Sequence, residues 1–295
     1  MAMIYRSLFF IFLILFAAAG WARSDCTVAP GQAEVEGGVI HYKTAGAGPD
    51  VLFLHGLFAS KEHWDGVLCQ VAVAGYRVVA PDLPGYGQST DFSVKAYRLE
   101  RQVELVNEFL AALGVRRLHL AGNSLGGTLA ALFARYHPER VISLAFIGGP
   151  LGIVPWGPEV QDAIFNGINP FIPVTTKEYD LELSLLLMKV PVMTEEAKQE
   201  QIRPYVENNR HYHQVWDMAN LYQDVLTRSD VQRLPALILW GEGDAVFSVE
   251  GLEPLRKRYP HSHAIRLKGQ GHLPMLDEPG MVATHYLKYL QRFRG

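Results

Sequence analysis

The chain has 295 residues, 49% of them apolar and 19% charged, with a formal net charge of -3. That is the composition of an ordinary globular protein with a sizeable core, and the length favours one large domain, or one domain with an insertion, over two independent ones. The balance of charge lacks the basic footprint of a nucleic-acid binder, and no like-charge block, internal repeat or low-complexity tract marks a tail, a solenoid or a linker.

The first residues, "MAMIYRSLFFIFLILFAAAGWARSDC", place one arginine, Arg6, before a nearly uncharged run from Leu8 to Ala19 and then small residues. That order is that of a secretory signal peptide over residues 1–22, with Gly20 and Ala22 as the small side chains before the cut. The alternative is an uncleaved membrane anchor, because Met3 to Trp21 approaches the roughly 20 residues that span a bilayer. Both readings put the protein outside the cytoplasm, periplasmic or secreted in the first case and membrane-anchored in the second. Cys26 follows Arg23-Ser24-Asp25, which does not suit a lipid-modified cysteine. Cys26 and Cys69 are the two cysteines, and in an exported chain they could pair; the sequence leaves their proximity open. No Cys/His cluster has zinc spacing, so no metal is expected. The alternating His211-Tyr212-His213 reads as a surface helix rather than a ligand set.

After residue 30 a hairpin is expected in "AEVEGGVIHYKTAG", turning at Gly37-Gly38. "DVLFLHG" follows as a buried strand, then a helix over about 60–73, a strand over 76–82 and the glycine- and proline-bearing loop "LPGYGQST". A long amphipathic helix over about 94–113 leads to the strand "RRLHLAGNS", a helix over 125–136 and a strand over 141–149. Residues 150–232 break the rhythm, being rich in proline and helix formers with no clear strand, and read as a helical cap or lid. Its Phe165, Phe171, Leu185, Leu186 and Met188 are candidates to face the sheet domain. Then come the strand "PALILWGEGD", a helix near 252–259, the strand "SHAIRLKGQGH" and a closing helix over about 281–292. Short apolar strands alternating with helices imply βαβ units: an α/β protein with a mostly parallel, doubly wound sheet, its core split into residues 30–149 and 233–295 by the cap.

Gly122-Asn123-Ser124-Leu125-Gly126 is a Gly-x-Ser-x-Gly pattern between an expected strand and an expected helix. The glycines suit a turn so tight that side chains there would crowd the neighbouring strand or helix. The serine would stand proud of the sheet at a helix N-terminus, where N–H groups favour developing negative charge. A serine hydroxyl needs a base, and the base an orienting acid. In the order serine, acid, histidine, with each at the end of a strand, the candidates are Ser124, Asp244 and His272. Glu242 is a second choice for the acid; Asp277 and Glu278 lie beyond His272, and His261 and His263 precede the last strand. Asp82 is expected to bond loop backbone groups. For an oxyanion hole the backbone N–H of Leu125 and of Leu57 are expected, with Phe58 as alternative and Gly56 allowing close approach; His55 is expected to bond within that loop.

These residues resemble the α/β-hydrolase family over roughly residues 33–293. "HGLFASKEHW", "PDLPGYGQS", "GNSLGG", "WGEGD" and "GHLPMLDEP" fall in the family order. Within it the chain looks most like bacterial lipases with a helical cap and monoacylglycerol lipases. The resemblance implies hydrolysis of acylglycerols or related carboxylic esters, with no cofactor, a small ester or lipid as partner, and membrane-surface contact through the cap or the N-terminal segment. Epoxide hydrolases and haloalkane dehalogenases are similar but use an aspartate where Ser124 stands. Carbon–carbon bond hydrolases share the "GNS-x-GG" elbow, but "HGLFAS" replaces their glycine-rich loop. A catalytically silent binding protein on the same fold is the non-enzymatic rival.

Overall fold

The computed structural model describes residues 26–293; residues 1–22, where the signal or anchor is expected, lie outside them. The strands are β1 (Ala29–Val35), β2 (Gly38–Ala45), β3 (Asp50–Leu54), β4 (Arg77–Pro81), β5 (Leu118–Gly122), β6 (Val141–Ile147), β7 (Ala236–Gly241) and β8 (Ser262–Leu267). They form one sheet in the order β1-β2-β4-β3-β5-β6-β7-β8. The β1–β2 hairpin and the β2–β4 pair are antiparallel; every pair from β4 to β8 is parallel. This is the mostly parallel α/β sheet expected from the alternation of apolar runs.

The runs are continuous rather than alternating because both faces of the sheet are covered. Along β3, Leu52 and Leu54 join one core while Val51 and Phe53 join the other, and along β7 Ile238 and Trp240 are divided in the same way from Leu237 and Leu239. One face is covered by α1 (Asp65–Val73) and the closing α9 (Pro279–Leu290), through Val67, Val71, Val282 and Tyr286. The other is covered by α2 (Leu99–Ala112), α3 (Leu125–Tyr136) and α8 (Leu252–Arg258), through Val106, Phe109, Leu129, Phe133 and Leu255. Each fully buried large side chain contributes about 1.5–3 kcal/mol to that double sandwich.

Two expected helices begin differently. The stretch over 60–73 opens with a 3-10 turn, Lys61–Trp64, before α1. The stretch over 94–113 is interrupted: Val94–Tyr97 is a 3-10 turn, Arg98 is extended at ψ 136°, and α2 starts at Leu99. Between β6 and β7 stand four helices, α4 (Pro158–Phe165), α5 (Thr176–Leu186), α6 (Glu195–Glu207) and α7 (Asn209–Asn220). A reciprocal capping box between Thr175 and Glu178 starts α5, and the Thr194 hydroxyl accepting from the Ala197 N–H starts α6. No helix of the described residues is long and apolar enough to cross a membrane.

The order of strands reverses at β3: the chain goes out to β4, then returns past β3 to β5. The carboxyl ends of β3 and β5 therefore flank a switch point, where open α/β sheets place their ligands.

Cys26 and Cys69 are joined by a disulfide across 43 positions of sequence, tying the chain ahead of β1 to α1. Closing a loop of that length is worth about 4 kcal/mol in the chain-entropy picture. Replacing both cysteines by serine should lower unfolding free energy by an amount of that order, read by denaturant titration, and reductant should then have no further effect. A second test concerns pH. Burial lowers the pKa of His119 to about 4, with Arg117 adding to the shift, and its Nδ1 lies 2.8 Å from Ser143 Oγ. The folded chain keeps this imidazole neutral while the unfolded chain takes up a proton below its ordinary value of about 6.5. Stability should therefore fall as pH drops from about 6.5 to about 4, and His119→Gln should flatten the Tm profile across that window.

Candidate active site

At the end of β5 the backbone turns into α3 within one residue. Ser124 takes φ 52° and ψ -120°, a region that costs a non-glycine residue about 1–3 kcal/mol. The turn is closed by contacts that leave no room for side chains. A Cβ on Gly122 would stand 2.2 Å from the Gly126 carbonyl oxygen, and one on Gly126 would stand 2.3 Å from that of Leu54. The expectation of crowding at both glycines is thus a matter of backbone against backbone. Phe58, the other non-glycine residue with positive φ among the described residues (54°), lies in the loop after β3. Both line one cavity.

The structure brings Asp244 and His272 together. His272 Nδ1 lies 2.9 Å from Asp244 Oδ2 and 3.1 Å from Oδ1. Asp244 is further held by backbone N–H donors: Val246 and Phe247 at 3.0 and 2.9 Å on Oδ1, and Gly149 at 3.2 Å on Oδ2. An Nδ1–H given to the carboxylate leaves Nε2 of a neutral ring as an acceptor. Ser124 and His272 both line the cavity, with no hydrogen bond between them among the described residues. Glu242 is exposed, Asp277 accepts from the Met188 N–H, and Glu278 pairs with Lys189. The N–H groups of Leu57, Phe58 and Leu125 have no backbone partner among the described residues.

His55 donates from Nδ1 to the Gly56 carbonyl (2.8 Å) and accepts at Nε2 from the Leu83 N–H (2.9 Å); its burial lowers its pKa. Asp82 accepts the N–H groups of Lys61 (2.8 Å) and Gln88 (2.9 Å), as expected of a loop-organising acid. The same carboxylate also takes the buried Lys61 ammonium at 2.6 Å, a pair the sequence did not suggest. Asn123, silent in the motif, is buried: its Nδ2 donates to the Ile147 carbonyl (2.7 Å) and the His272 carbonyl (3.1 Å), linking the elbow to β6 and to the His272 loop.

The cavity, of about 200 Å³, lies between these loops and the cap helices. Trp156, Phe171, Leu186 and Val246 line part of it, and Trp156 stacks on Phe247 and Trp216 (4.7 and 5.3 Å between ring centres). Of the cap residues expected to face the sheet domain, Phe171 and Leu185 are buried in the shared core and Leu186 reaches the cavity. Phe165 does not face it: at the end of α4 it is 88% exposed. Met188 is half exposed and lies over Gly243 and Gly271. The reading of residues 211–213 as a plain surface helix also needs correction. His211 Nε2 bonds the Gly85 carbonyl (2.8 Å) and Tyr212 lines the cavity, because α7 packs against the loop after β4.

Sequence reasoning missed one acid. On α5, Tyr179, Glu182, Leu183 and Leu186 stand at i, i+3, i+4 and i+7 and all line the cavity. Burial raises the Glu182 carboxyl to a pKa of about 8, partly offset by a bond from Tyr205. An acid inside the apolar stripe of an amphipathic helix was the available signal.

A family model described as the alpha/beta hydrolase fold matches residues 49–171. A solved membrane phospholipase A, described as a bacterial virulence factor, superposes with a TM-score of 0.81 at 31% identity, covering 91% of this chain and 87% of that one. Lipase 1 of Psychrobacter immobilis is 24% identical over 81% of this chain and 76% of its own length. A 2-hydroxy-6-oxononadienedioate/2-hydroxy-6-oxononatrienedioate hydrolase of Paraburkholderia phymatum is 30% identical over 71% and 77%.

The crowded elbow gives a paired test. Gly122→Ala forces backbone to move and should destabilise by about 3 kcal/mol or more, or abolish soluble protein. At Gly127 a Cβ would meet nothing nearer than 3.3 Å, so Gly127→Ala should stay within about 1 kcal/mol of the parent by chemical denaturation.

Proposed function

The chain belongs to the α/β-hydrolase family, and from that premise we propose that it is a serine hydrolase of carboxylic esters, acting on acylglycerols or similar lipid-like esters. The observation that carries the proposal is the His272–Asp244 bond beside a cavity into which Ser124 is raised by a strained elbow. In this reading His272 Nε2 takes the Ser124 proton as Oγ bonds to the ester carbonyl carbon. Asp244 holds the ring and stabilises the imidazolium. The negative oxygen is received by the N–H groups of Leu125 and Leu57, with Phe58 as the alternative donor. The alcohol leaves with the proton from His272, and a water deprotonated by the same ring releases the acid from Ser124. The apolar wall of Trp156, Phe171, Leu186 and Val246 would take the acyl chain.

Carbon–carbon bond hydrolysis is the second reading, supported by the 30% identical relative. The loop "HGLFAS" and the apolar wall favour the ester. The same proposal has the protein exported, as the disulfide suits an oxidising compartment. It also has the cap resting on a lipid surface, for which exposed Phe165, Val192 and Leu221 offer apolar contacts.

Wild-type protein should hydrolyse nitrophenyl esters and monoacylglycerols and leave a vinylogous diketone substrate untouched. Ser124→Ala should keep the fold and lower kcat on the order of 10⁶-fold, and Asp244→Asn about 10⁴-fold. Near-normal ester turnover by Ser124→Ala, or turnover of the diketone alone, contradicts the ester reading.

A further inference from the structure

On the α5–α6 side of the cavity a group of buried polar side chains stands among Leu183, Leu186 and Pro204. Glu182 Oε2 and the Tyr179 hydroxyl are buried with no hydrogen-bond partner among the described residues. Glu182 Oε1 has one contact at the limit of a hydrogen bond, 3.4 Å from the Tyr205 hydroxyl. Leaving such groups unpaired costs about 1–3 kcal/mol each. All three residues line the cavity that holds Ser124. Tyr179 belongs with Leu183 and Ile202 to an apolar cluster separate from the one containing Trp156 and Phe171, so the polar group and the aromatic wall are different sides of the site. The Tyr212 ring packs against Tyr205 (4.5 Å between centres) and Phe58 (5.2 Å), which ties this polar group to the loop after β3.

We propose that Tyr179, Glu182 and Tyr205 form a subsite for the hydroxyl groups of an uncharged polyol, the alcohol portion of the ester, and so select esters of polyols over esters of simple alkanols. The proposal rests on the reading of this cavity as the ester site and names the half of the substrate that the apolar wall does not take. Three chemistries compete for such a wall. An anionic headgroup finds no lysine or arginine in the lining, and the α5–α6 side meets it with the Glu182 carboxyl, the Tyr179 and Tyr205 phenols and the neutral Gln201 amide. A protonated amine offers donors alone and a quaternary ammonium offers neither donor nor acceptor, whereas the Tyr179 O–H needs an acceptor. A hydroxyl both donates and accepts: it can give its proton to a Glu182 oxygen while taking that of Tyr179, and a neighbouring hydroxyl can serve the long Glu182–Tyr205 contact. Burial, which keeps the carboxyl protonated near neutral pH, agrees with an uncharged guest.

The test uses ethers, which cannot be cleaved: 1-O-octylglycerol, octyl propyl ether and an octyl ether of choline, each titrated calorimetrically into the full protein. The glycerol ether should bind about 10- to 100-fold more tightly than the propyl ether. In Glu182→Leu that ratio should collapse to within about twofold, while Glu182→Gln, which keeps a donor and an acceptor, should retain most of it. Should Glu182→Leu fail to fold, Tyr179→Phe carries the same test with a loss of about 3- to 10-fold in the ratio. Equal binding of the two neutral ethers, a ratio unchanged in these variants, or tighter binding of the choline ether overturns the proposal. A glycerol preference in a protein that turned over no ester would leave the subsite standing and remove only the hydrolytic reading.

Discussion

Everything at the centre of this molecule depends on how closely the backbone of residues 122–126 approaches itself and the end of β3. The Gly122 position faces the carbonyl of Gly126, and the Gly126 position faces those of Leu54 and His55, at distances that exclude a single methyl group. That closure puts Ser124 at φ 52°, on the lining of the cavity. It also brings the first turn of α3 against the loop that carries Leu57 and Phe58. The strain is tolerated because β3 and β5, on either side, are buried on both faces.

The rest of the site is fastened to that turn by polar groups from other strands. Asn123 reaches from the elbow to the carbonyls of Ile147 and His272, so the loop bearing His272 is referenced to the same backbone as Ser124. Asp244 is fixed by N–H groups of Val246, Phe247 and Gly149 before it meets His272. The cap, inserted where β6 ends, adds to this fastening: the Leu186 carbonyl accepts the N–H of Leu273, next to His272, and the Leu151 carbonyl accepts the Thr128 hydroxyl of α3. It also supplies walls: aromatic on one side, and on the other Glu182 and Tyr179, whose Oε2 and hydroxyl have no hydrogen-bond partner among the described residues.

How far this was legible in the sequence follows from the range of the interactions. Strands such as Asp50–Leu54 and Ala236–Gly241 announce themselves because burial on both faces demands continuous apolar runs. The elbow is legible because its glycines answer a steric demand within five residues. The break at Arg98 was hidden, since the helical pattern continues across it and only the extended backbone of one residue interrupts it. Lys61 and Asp82 pair across 21 positions, and His211 meets Gly85 across 126, so local patterning carries no trace of either contact. Phe165 was assigned inward on hydrophobicity alone, and the end of a short helix left it in solvent. Glu182 had a local signature, an acid on the inward stripe of α5, that passes as an exposed charge until the helix is placed.

The central claim is that Ser124, unlike the other serines of the chain, is chemically activated. The most direct measurement is covalent labelling by a fluorophosphonate, read as intact mass and then as the modified peptide. One adduct per chain is expected, on the peptide containing Ser124, with labelling suppressed in His272→Ala. An unlabelled protein, or an adduct on Ser124 that forms equally fast without His272, would contradict it.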